Sequence, residues 1–400
     1  MGKWEMVRLG DVISVSSGGT PSRTKKENWI DSTGDELIPW IKTGDLKSMF
    51  LYKSEDYITS TGLANSSAKV FPEDTVLLAM YGATIGACSI LKFEASTNQA
   101  CAALLPNDKF SSSFLYYYLS SIKERLISLG VGGAQPNISG TIIKSLKIPL
   151  PPLPIQQKIA NTFDRINTLI EKRKGQIAKL DLLVKSQFVE MFGDPVTNPM
   201  GWEVKTLLDV TSKIGSGATP RGGKESYINE GISLVRSMNV HNGLFKYNEL
   251  AHITDEQARQ LDNVTLIKND VLLNITGASV ARSCIVPTDV LPARVNQHVS
   301  IIRCKIEKLN PIFTNAVLIS DSYQKFLLET GDARAATRQA ITKQQIKEML
   351  FPLPPLELQN RFADFVNQAD KSKFEMQQGL DKLELLYKSL MQKCFGGELF

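Results

Sequence analysis

Ile148–Leu153 reads Ile-Pro-Leu-Pro-Pro-Leu, and Phe351–Leu356 reads Phe-Pro-Leu-Pro-Pro-Leu. Proline fixes φ and has no backbone N–H, so each segment predicts a stiff, extended hinge. Behind each hinge, apolar residues recur in alternating steps of four and three over about four heptads or more. This spacing predicts that a long coiled-coil helix follows each hinge, and the pair of helices decides the fold class.

The seam of each predicted helix contains a few polar residues. They are Arg173 and Gln187 in the first helix and Lys373 in the second, and such residues often set the register of a coiled coil. Two repeats related by a pseudo-two-fold axis are expected to pack their helices antiparallel. The alternative is a seam inside one ordinary helical core, which the length and duplication of the pattern disfavour. The apolar seam residues are Ile159, Phe163, Ile166, Ile170, Ile177, Leu180, Val184, Phe362, Val366, Met376, Leu380, Leu383, Tyr387 and Leu390.

Each hinge and helix closes a longer repeat, whose period is roughly 200 residues. Several short motifs return in the same order, and chance does not supply so many collinear matches. The chain is therefore a tandem duplication. The matching motifs are Ser17–Pro21 and Ser216–Pro220, Asp74–Leu78 and Asp270–Leu273, Gly82–Ile85 and Gly277–Val280, Asn98-Gln99 and Asn296-Gln297, and Gln156 and Gln359.

A mixed domain precedes each hinge. Thr75–Met80 and Val271–Ile275 are short apolar runs that predict strands, whereas Phe114–Leu129 and Phe313–Leu328 carry helical spacing. The sequence thus predicts an α+β (mixed) fold, in which two pseudo-symmetric α/β domains are separated by two long antiparallel coiled-coil helices. The predicted boundaries are 1–150 for the first domain, 151–195 for the first helix, 196–352 for the second domain and 353–400 for the second helix.

Charge and cysteine content narrow the class of protein. The net charge of +5 fits nucleic-acid binding without requiring it. The five cysteines form no C-x-x-C pair and no secretory signal follows Met1, so we expect a reducing, cytoplasmic location. No run reaches the roughly 18 apolar residues of a membrane helix, so no membrane contact is expected.

The duplicated motifs resemble those of the specificity subunits of Type I restriction-modification systems. The resemblance extends over nearly the whole chain, once in each repeat. The second repeat departs from the pattern at Leu234 and Asn239, where the first has Trp40 and Asp45. The motifs of the first repeat are Gly19-Thr20-Pro21, Trp40–Asp45, Leu77–Gly86, Asn98-Gln99 and Pro149–Gln156.

This resemblance implies a function for each part of the chain. Each α/β domain would be a target-recognition domain that reads one half of a bipartite, asymmetric site in double-stranded DNA. The helices would set the spacing between half-sites and dock two modification (methyltransferase) subunits. Restriction/translocase subunits would join where the system has them. The differences between the repeats predict that the two domains recognise different base sequences.

The sequence predicts no catalytic or metal site in the chain itself. It lacks the Pro-Pro-aromatic motif and the Gly-rich loop of an adenine-N6 methyltransferase, and His241, His252 and His298 lack metal-ligand spacing. We therefore expect no cofactor in this chain. The resemblance places S-adenosylmethionine on the methyltransferase partner, and ATP and Mg²⁺ on a restriction partner.

Candidate DNA contacts are polar residues in predicted loops, because cations suit phosphates while amides and guanidinium groups suit base edges. Local structure is the alternative, since Gly19-Thr20-Pro21 also fits a tight turn and Asn98-Gln99 also fits capping of neighbouring backbone. The candidates are Thr20, Ser22, Arg23, Lys42, Asn98, Gln99, Gln135 and Asn137 in the first repeat, and Thr219, Arg221, Lys224, Arg236, Asn296, Gln297, Arg334 and Arg338 in the second.

Three other functions compete with this interpretation. A stand-alone DNA-binding regulator needs no methyltransferase partner, and a coiled-coil scaffold needs no DNA. An enzyme with its own active site needs motifs that this sequence lacks. Co-purification with a methyltransferase subunit would exclude the regulator, and salt-dependent affinity for DNA would exclude the scaffold.

Overall fold

The computed structural model describes residues 4–29, 36–132, 136–332, 339–396 and 398–399. The contacts between residues divide the chain into two compact units. Unit 1 comprises Met1–Lys174 and Gln378–Phe400, and unit 2 comprises Gly175–Gln377. Among the described residues, no helix combines the length and the apolar character that a membrane span requires.

The described residues of unit 1 form three sheets. Its strands are β1 (Met6–Arg8), β2 (Val15–Ser17), β3 (Leu37–Ile41), β4 (Phe50–Leu51), β5 (Asp56–Thr59), β6 (Val70–Phe71), β7 (Val76–Ala79), β8 (Cys88–Leu91), β9 (Ala95–Thr97), β10 (Cys101–Leu104) and β11 (Lys147–Pro149). The strand orders are β2-β10-β7-β8-β4, β5-β3-β9-β6 and β1-β11. The pairs β3–β9 and β4–β8 are parallel and the other pairs are antiparallel.

The five-stranded sheet of unit 1 is buried on both faces. Successive residues of a strand point to opposite sides, so Leu77 and Leu78 of β7 enter different cores. Leu78 shares one core with Phe114 and Phe163, and Leu77 shares the other with Ile41 of the four-stranded sheet. The continuous burial of β7 explains why its sequence is an uninterrupted apolar run.

The helices of unit 1 are short except for the last. They are α1 (Leu9–Val12), α2 (Ser60–Ala64), α3 (Ser112–Ser121), α4 (Lys123–Ser128), α5 (Gly140–Ser145) and α6 (Leu153–Phe192), of which α6 continues into unit 2. One-turn 3-10 helices lie at Lys26–Asn28, Thr43–Asp45 and Gly82–Thr84. The predicted helical stretch Phe114–Leu129 is thus two helices, which divide at Ile122.

Unit 2 repeats this sheet order. Its strands are β12 (Glu203–Thr206), β13 (Thr211–Ser216), β14 (Ile232–Val235), β15 (Val240–His241), β16 (Leu244–Phe245), β17 (Ala251–Ile253), β18 (Val271–Asn274), β19 (Ser283–Ile285), β20 (Ala293–Val295), β21 (Val299–Cys304) and β22 (Leu350–Leu353). The orders β13-β21-β18-β19, β17-β14-β20 and β12-β22 match β2-β10-β7-β8, β5-β3-β9 and β1-β11. A further hairpin joins β15 to β16.

The helices of unit 2 show how polar residues set helix ends. Asn310 caps α9, because its Oδ1 accepts the N–H of Ile312 at 2.8 Å and Pro311 occupies the first turn. Ser320 is extended and ends α9, so the predicted stretch Phe313–Leu328 is also two helices. The helices are α7 (Leu207–Val210), α8 (Asp255–Arg259), α9 (Pro311–Ile319), α10 (Asp321–Asp332), α11 (Lys343–Glu348) and α12 (Leu356–Phe395), and 3-10 turns lie at Gly223–Ser226, Ser237–Asn239, Asp262–Val264, Gly277–Ser279 and Thr288–Val290.

In unit 1, the first half of α6 packs antiparallel to the second half of α12. The ring of Phe163 lies 5.4 Å from that of Tyr387 and 6.0 Å from that of Phe395. Lys174 and Glu384 form an ion pair at 3.4 Å across the same two helices. Residues near the start of one helix therefore meet residues near the end of the other, as the pseudo-two-fold predicts.

In unit 2, the remaining halves of α6 and α12 also pack antiparallel. Phe188 and Phe192 lie 5.6 and 5.4 Å from Phe362. Asp181 accepts a hydrogen bond from Lys373 at 2.6 Å. The polar seam residue Lys373 is thus paired with a carboxylate on the other helix, and such a pair disfavours other registers.

The face of each helix that carries the predicted seam is turned inward. The seam residues are buried or half-buried, among them Ile159 and Phe163 in unit 1 and Phe362 in unit 2. Leucines on other faces, such as Leu182 and Leu385, are 63% and 70% exposed. The fold class is therefore the mixed one predicted, with long antiparallel helices packed along their heptad seams.

Candidate nucleic-acid interface

In unit 1 the Gly-Thr-Pro loop and the Asn98-Gln99 turn are brought together. A Cβ on Gly18 would lie 2.0 Å from the carbonyl oxygen of Thr97, so only glycine allows the loop to approach the turn this closely. The N–H of Gly19 donates to that same oxygen at 2.8 Å. The hydroxyl of exposed Thr20 then donates to Oε1 of exposed Gln99. The threonine occupies the amide oxygen, so Gln99 presents its NH2 group as a donor.

Unit 2 reproduces this contact with the equivalent residues. A Cβ on Gly217 would lie 1.8 Å from the carbonyl oxygen of Val295. The hydroxyl of Thr219 donates to Oε1 of Gln297 at 2.5 Å, and Nε2 of Gln297 lies 3.2 Å from Nε2 of His298. Both units thus place a threonine and a glutamine side by side on the surface.

The asparagines of the two turns serve the turns themselves. Oδ1 of Asn98 accepts the N–H of Ala100 at 3.2 Å, and Oδ1 of Asn296 accepts the N–H of His298 at 3.0 Å. Asn296 is buried and Asn98 is half-buried. Their side-chain oxygens therefore act as local caps, while the neighbouring glutamines are the exposed members of each pair.

Two indole N–H groups donate hydrogen bonds to the backbone of the loop that carries Ser22 and Arg23. Nε1 of Trp40 donates to the carbonyl of Gly19 at 3.0 Å, and Nε1 of Trp29 donates to the carbonyl of Ser22 at 3.1 Å. The guanidinium of Arg23 stacks 4.6 Å from the centre of the Trp29 ring. The two indoles therefore fix both the backbone of this loop and the direction of its arginine.

Lys42 and Arg236 occupy matching positions after β3 and β14. Their backbone N–H groups donate to Oδ2 of Asp45 at 2.8 Å and Oδ1 of Asn239 at 3.0 Å. Both side chains are engaged within the protein. Lys42 pairs with Asp56, and this hydrogen bond raises the pKa of Lys42, whereas Arg236 donates to the carbonyl of Glu249.

A further loop of each unit carries the repeated motif Gly82–Ile85 or Gly277–Val280, for which the sequence predicted no role. Gly82 adopts φ +61° and donates its N–H to Pro136 at 2.9 Å, and Asn137 bridges to Tyr81. In unit 2, Gly277 adopts φ +74° and donates to Gln339 at 3.0 Å. Beside this second loop an open cleft of about 570 Å³ is lined by residues that include Arg282, His298 and Gln339.

The remaining candidates lie on exposed turns or outside the described residues. Arg221 and Lys224 are exposed, and they flank Gly222 and Gly223, whose φ values of +91° and +57° turn the chain. Gln135, Arg334 and Arg338 lie outside the described residues.

The outer faces of the long helices carry a second duplicated feature. Leu182 and Leu183 in unit 2 are 63% and 48% exposed, and their repeat partners Leu385 and Leu386 in unit 1 are 70% and 49% exposed. Single exposed apolar residues are common on protein surfaces, and these leucines differ from most of them in recurring at equivalent positions of the two repeats.

The described residues contain no group of three or more His, Cys, Asp or Glu that could hold a metal ion. The five cysteines are free and buried, and burial raises the pKa of Cys101 and of Cys284 to about 12. Because the thiolate is the reactive form, these thiols pack in the core and do not act as nucleophiles at neutral pH.

Comparison with known proteins gives consistent results. The model of the Type I restriction modification DNA specificity domain matches residues 1–182 and again residues 199–385. The chain is 27% identical over 421 residues to the Type I restriction enzyme MjaIX specificity subunit of Methanocaldococcus jannaschii, covering 99% of this chain and 93% of that one. It is 23% identical over 433 residues to the EcoBI specificity subunit of Escherichia coli, covering 99% and 86%.

Solved structures show the same fold. One, described as the structural basis of complex assembly and conformational transition of the type I R-M system, matches with a TM-score of 0.64 and 19% identity, covering 99% of this chain and 98% of that one. The S subunit of a Type I system from M. genitalium matches with a TM-score of 0.59 and 16% identity, covering 98% and 96%. At these identities the likeness concerns the fold alone.

Proposed function

The chain belongs to the family of the Type I restriction modification DNA specificity domain, and from this premise we propose that each of its two repeats reads one half of a bipartite, asymmetric DNA site. The chain is a DNA sequence-recognition protein of that family. Within the proposal, residues 1–150 and 196–352 are the two target-recognition domains, and the helical segments 151–195 and 353–400 set the distance between the half-sites.

The observation that carries this proposal is the duplicated contact between threonine and glutamine. Thr20 with Gln99 and Thr219 with Gln297 form the same exposed pair in both units, while the cations around each pair differ. Residues that the two domains share suit the phosphate backbone, which is the same in every DNA sequence. Residues that differ between the domains suit base edges, which differ from site to site. Two units with the same anchor and different neighbours fit two different half-sites.

The exposed leucine pairs support a second part of the proposal. Leu182 with Leu183 and Leu385 with Leu386 are equivalent pairs, one in each unit. We assign each pair to the docking of one modification (methyltransferase) subunit, so that two such subunits bind one chain. The repetition of the pair is what argues for two partners of the same kind.

In this scheme the chain contributes recognition and its partners contribute chemistry. S-adenosylmethionine belongs to the modification subunits, which would flip the target adenine out of the helix to methylate it. ATP and Mg²⁺ belong to a restriction subunit where the system has one. The complex would act in the cytoplasm, which suits the five free thiols of this chain.

The test is co-expression of this chain with a Type I modification subunit, followed by mapping of N6-methyladenine in the host DNA. The expected result is methylation at a split, asymmetric site whose two halves are separated by a fixed number of unread bases. Binding of the partner without any new methylation would indicate a specificity subunit that lacks a working enzyme. An unmethylated host together with no bound partner, but salt-dependent binding to DNA, would indicate a regulator. Failure to bind DNA as well would indicate a scaffold.

A further inference from the structure

Each unit holds one arginine against an aromatic ring beside its Gly-Thr-Pro or Ala-Thr-Pro loop. In unit 1 this is Arg23, whose guanidinium lies 4.6 Å from the centre of the Trp29 ring and 5.9 Å from that of Trp40. Arg23 is exposed. It lines an open cleft of about 520 Å³ together with Lys26, Tyr57 and the carboxylates Glu55 and Asp56, so its side chain borders a space that a ligand can enter.

In unit 2 the stacked arginine comes from a different place in the repeat. Tyr227 follows the 3-10 turn Gly223–Ser226 as Trp29 follows the turn Lys26–Asn28, so the two rings are equivalent. The guanidinium over the Tyr227 ring, at 5.4 Å, belongs to Arg236. It reaches the ring from the end of β14, whereas Arg23 reaches its ring from the preceding loop.

Neither unit has a ring-stacked arginine, among the described residues, at the position that the other unit uses. The position in unit 1 that matches Arg236 is Lys42, and Asp56 holds its ammonium group in an ion pair. The loop in unit 2 that matches the one around Arg23 has Gly222 and Gly223 beside Arg221, and no aromatic contact of Arg221 occurs among the described residues. The two units have therefore kept the stacked arginine while moving it along the chain.

Stacking makes an arginine suited to reading bases. An aromatic ring attracts the face of the guanidinium and leaves its N–H edge for hydrogen bonds. In Arg236, Nη2 already donates to the carbonyl of Glu249, so the other terminal amino group is the one that can contact a base. The ring also restricts the side-chain rotamers, so less conformational entropy is lost on binding. A fixed guanidinium edge matches the O6 and N7 acceptors of guanine in the major groove.

We propose that the ring-stacked arginine of each unit, Arg23 on Trp29 and Arg236 on Tyr227, selects a guanine in the half-site of that unit. Trp29 and Tyr227 are positioning residues that act through these arginines. The two arginines leave different points of the repeat, so the selected guanine occupies a different position in each half-site. This inference rests on the proposed function, because it assigns residues to the reading of half-sites.

The experiment selects duplexes from a random DNA library with the full chain in complex with its modification subunits. Wild type is compared with Arg23→Lys, Trp29→Phe, Trp29→Leu and Arg236→Lys. Arg259→Lys is the matched control, since it changes an exposed arginine of unit 2 that lies outside the candidate DNA contacts and stacks on no ring among the described residues. Arg23→Lys keeps the charge of an exposed side chain, so it tests the inference without disturbing the fold.

Arg23→Lys and Trp29→Leu are expected to reduce the preference for guanine at one position of one half-site by about five- to a hundredfold, the value of one bidentate base contact. Trp29→Phe, which keeps a ring, is expected to retain most of that preference. Arg236→Lys is expected to act in the same way on the other half-site only. Arg259→Lys is expected to leave every base preference unchanged.

Two results overturn the inference while leaving the proposed function intact. In one, wild type selects a bipartite site and Arg23→Lys leaves every base preference as it was. In the other, Arg23→Lys and Trp29→Leu weaken binding to all sequences alike, which would make Arg23 a phosphate contact. If wild type selects no sequence at all, the proposed function is wrong and the inference fails with it.

Discussion

A single buried glutamine fixes the start of each long helix to its domain. In unit 1, Oε1 of Gln156 accepts the N–H of Ser111 at 2.9 Å, and its Nε2 donates to the carbonyls of Lys109 at 2.8 Å and Pro151 at 2.9 Å. In unit 2, Gln359 makes the matching bond with the N–H of Asn310 at 2.8 Å. The glutamine thus ties the hinge, the helix and the segment before α3 or α9 into one rigid junction.

Gln156→Ala is expected to destabilise unit 1 by about 2–4 kcal/mol, because it leaves a buried N–H and two carbonyls without partners. Calorimetric unfolding of the full chain measures this as a lower transition temperature for one of the two units. Gln157→Ala is the matched control, since Gln157 is exposed and bonds only within the helix to Asn161. Equal effects of the two substitutions would show that the junction does not depend on the buried amide.

Arg221 is an exposed cation of unit 2 whose charge suits a phosphate contact. Arg221→Ala, and likewise Arg338→Ala, is expected to weaken binding to the cognate site by about tenfold or more and to reduce the salt dependence of binding by roughly one counterion. Titration of labelled duplex at several salt concentrations measures both quantities. Unchanged affinity in both variants would remove these residues from the interface.

At the scale of elements, an aromatic cluster joins the long helices to the helix α9 of unit 2. The centres of neighbouring rings in this cluster lie 4.7 to 6.1 Å apart, and the cluster consists of Phe188, Phe192, Phe313 and Phe362. In unit 1, Phe114, Phe163, Tyr387 and Phe395 form the equivalent cluster. Each long helix therefore contributes aromatic side chains to the cores of both units.

Phe362→Ala is expected to cost about 3–5 kcal/mol, the usual loss for a fully buried phenylalanine. The control is Phe374→Ala on the same helix, because Phe374 is 64% exposed and its removal leaves no cavity. Chemical denaturation followed by far-ultraviolet circular dichroism compares the two variants. A loss of less than about 1 kcal/mol for Phe362→Ala would show that the cluster is not a main source of stability.

At the scale of the whole molecule, the duplicated leucine pairs set an expectation for stoichiometry. Replacing Leu182 and Leu183 by lysine is expected to leave a complex with one modification subunit. Replacing Leu385 and Leu386 as well is expected to leave none, because the charges oppose burial of an apolar surface. Native mass spectrometry counts the subunits, and Gln176→Lys on the same helix is the control. If the quadruple variant still binds two modification subunits, the leucine pairs are not the docking sites.

The length of the helices is expected to determine the unread spacer of the DNA site. Insertion of one heptad into each of α6 and α12 adds about 10 Å of helix, which corresponds to about three base pairs. The spacer is expected to lengthen while both half-sites keep their sequence. Methylation mapping of the co-expressed complex reads this directly. A change in either half-site would show that the helices do more than set a distance.

The sequence alone determined the tandem repeat, the hinges and the helices. These features are encoded by local chemistry, since proline restricts φ wherever it stands and heptad spacing places apolar residues on one face of a helix. Local spacing also located the strands Val76–Ala79 and Val271–Asn274. It did not show where the two shorter helical stretches divide, at Ile122 and Ser320, because both positions lie inside runs with helical spacing.

Only the tertiary structure decided which loop residues are free to meet a ligand. Lys42 and Arg23 look alike in sequence as cations in loops, yet Lys42 is paired with Asp56, whereas Arg23 is exposed and stacks on Trp29. Trp29 lies six residues after Arg23 and Asp56 lies 14 residues after Lys42, and the spacing along the chain does not show that these side chains meet. The packing of the whole unit therefore decides whether a polar side chain bonds to the protein itself or remains available to a ligand.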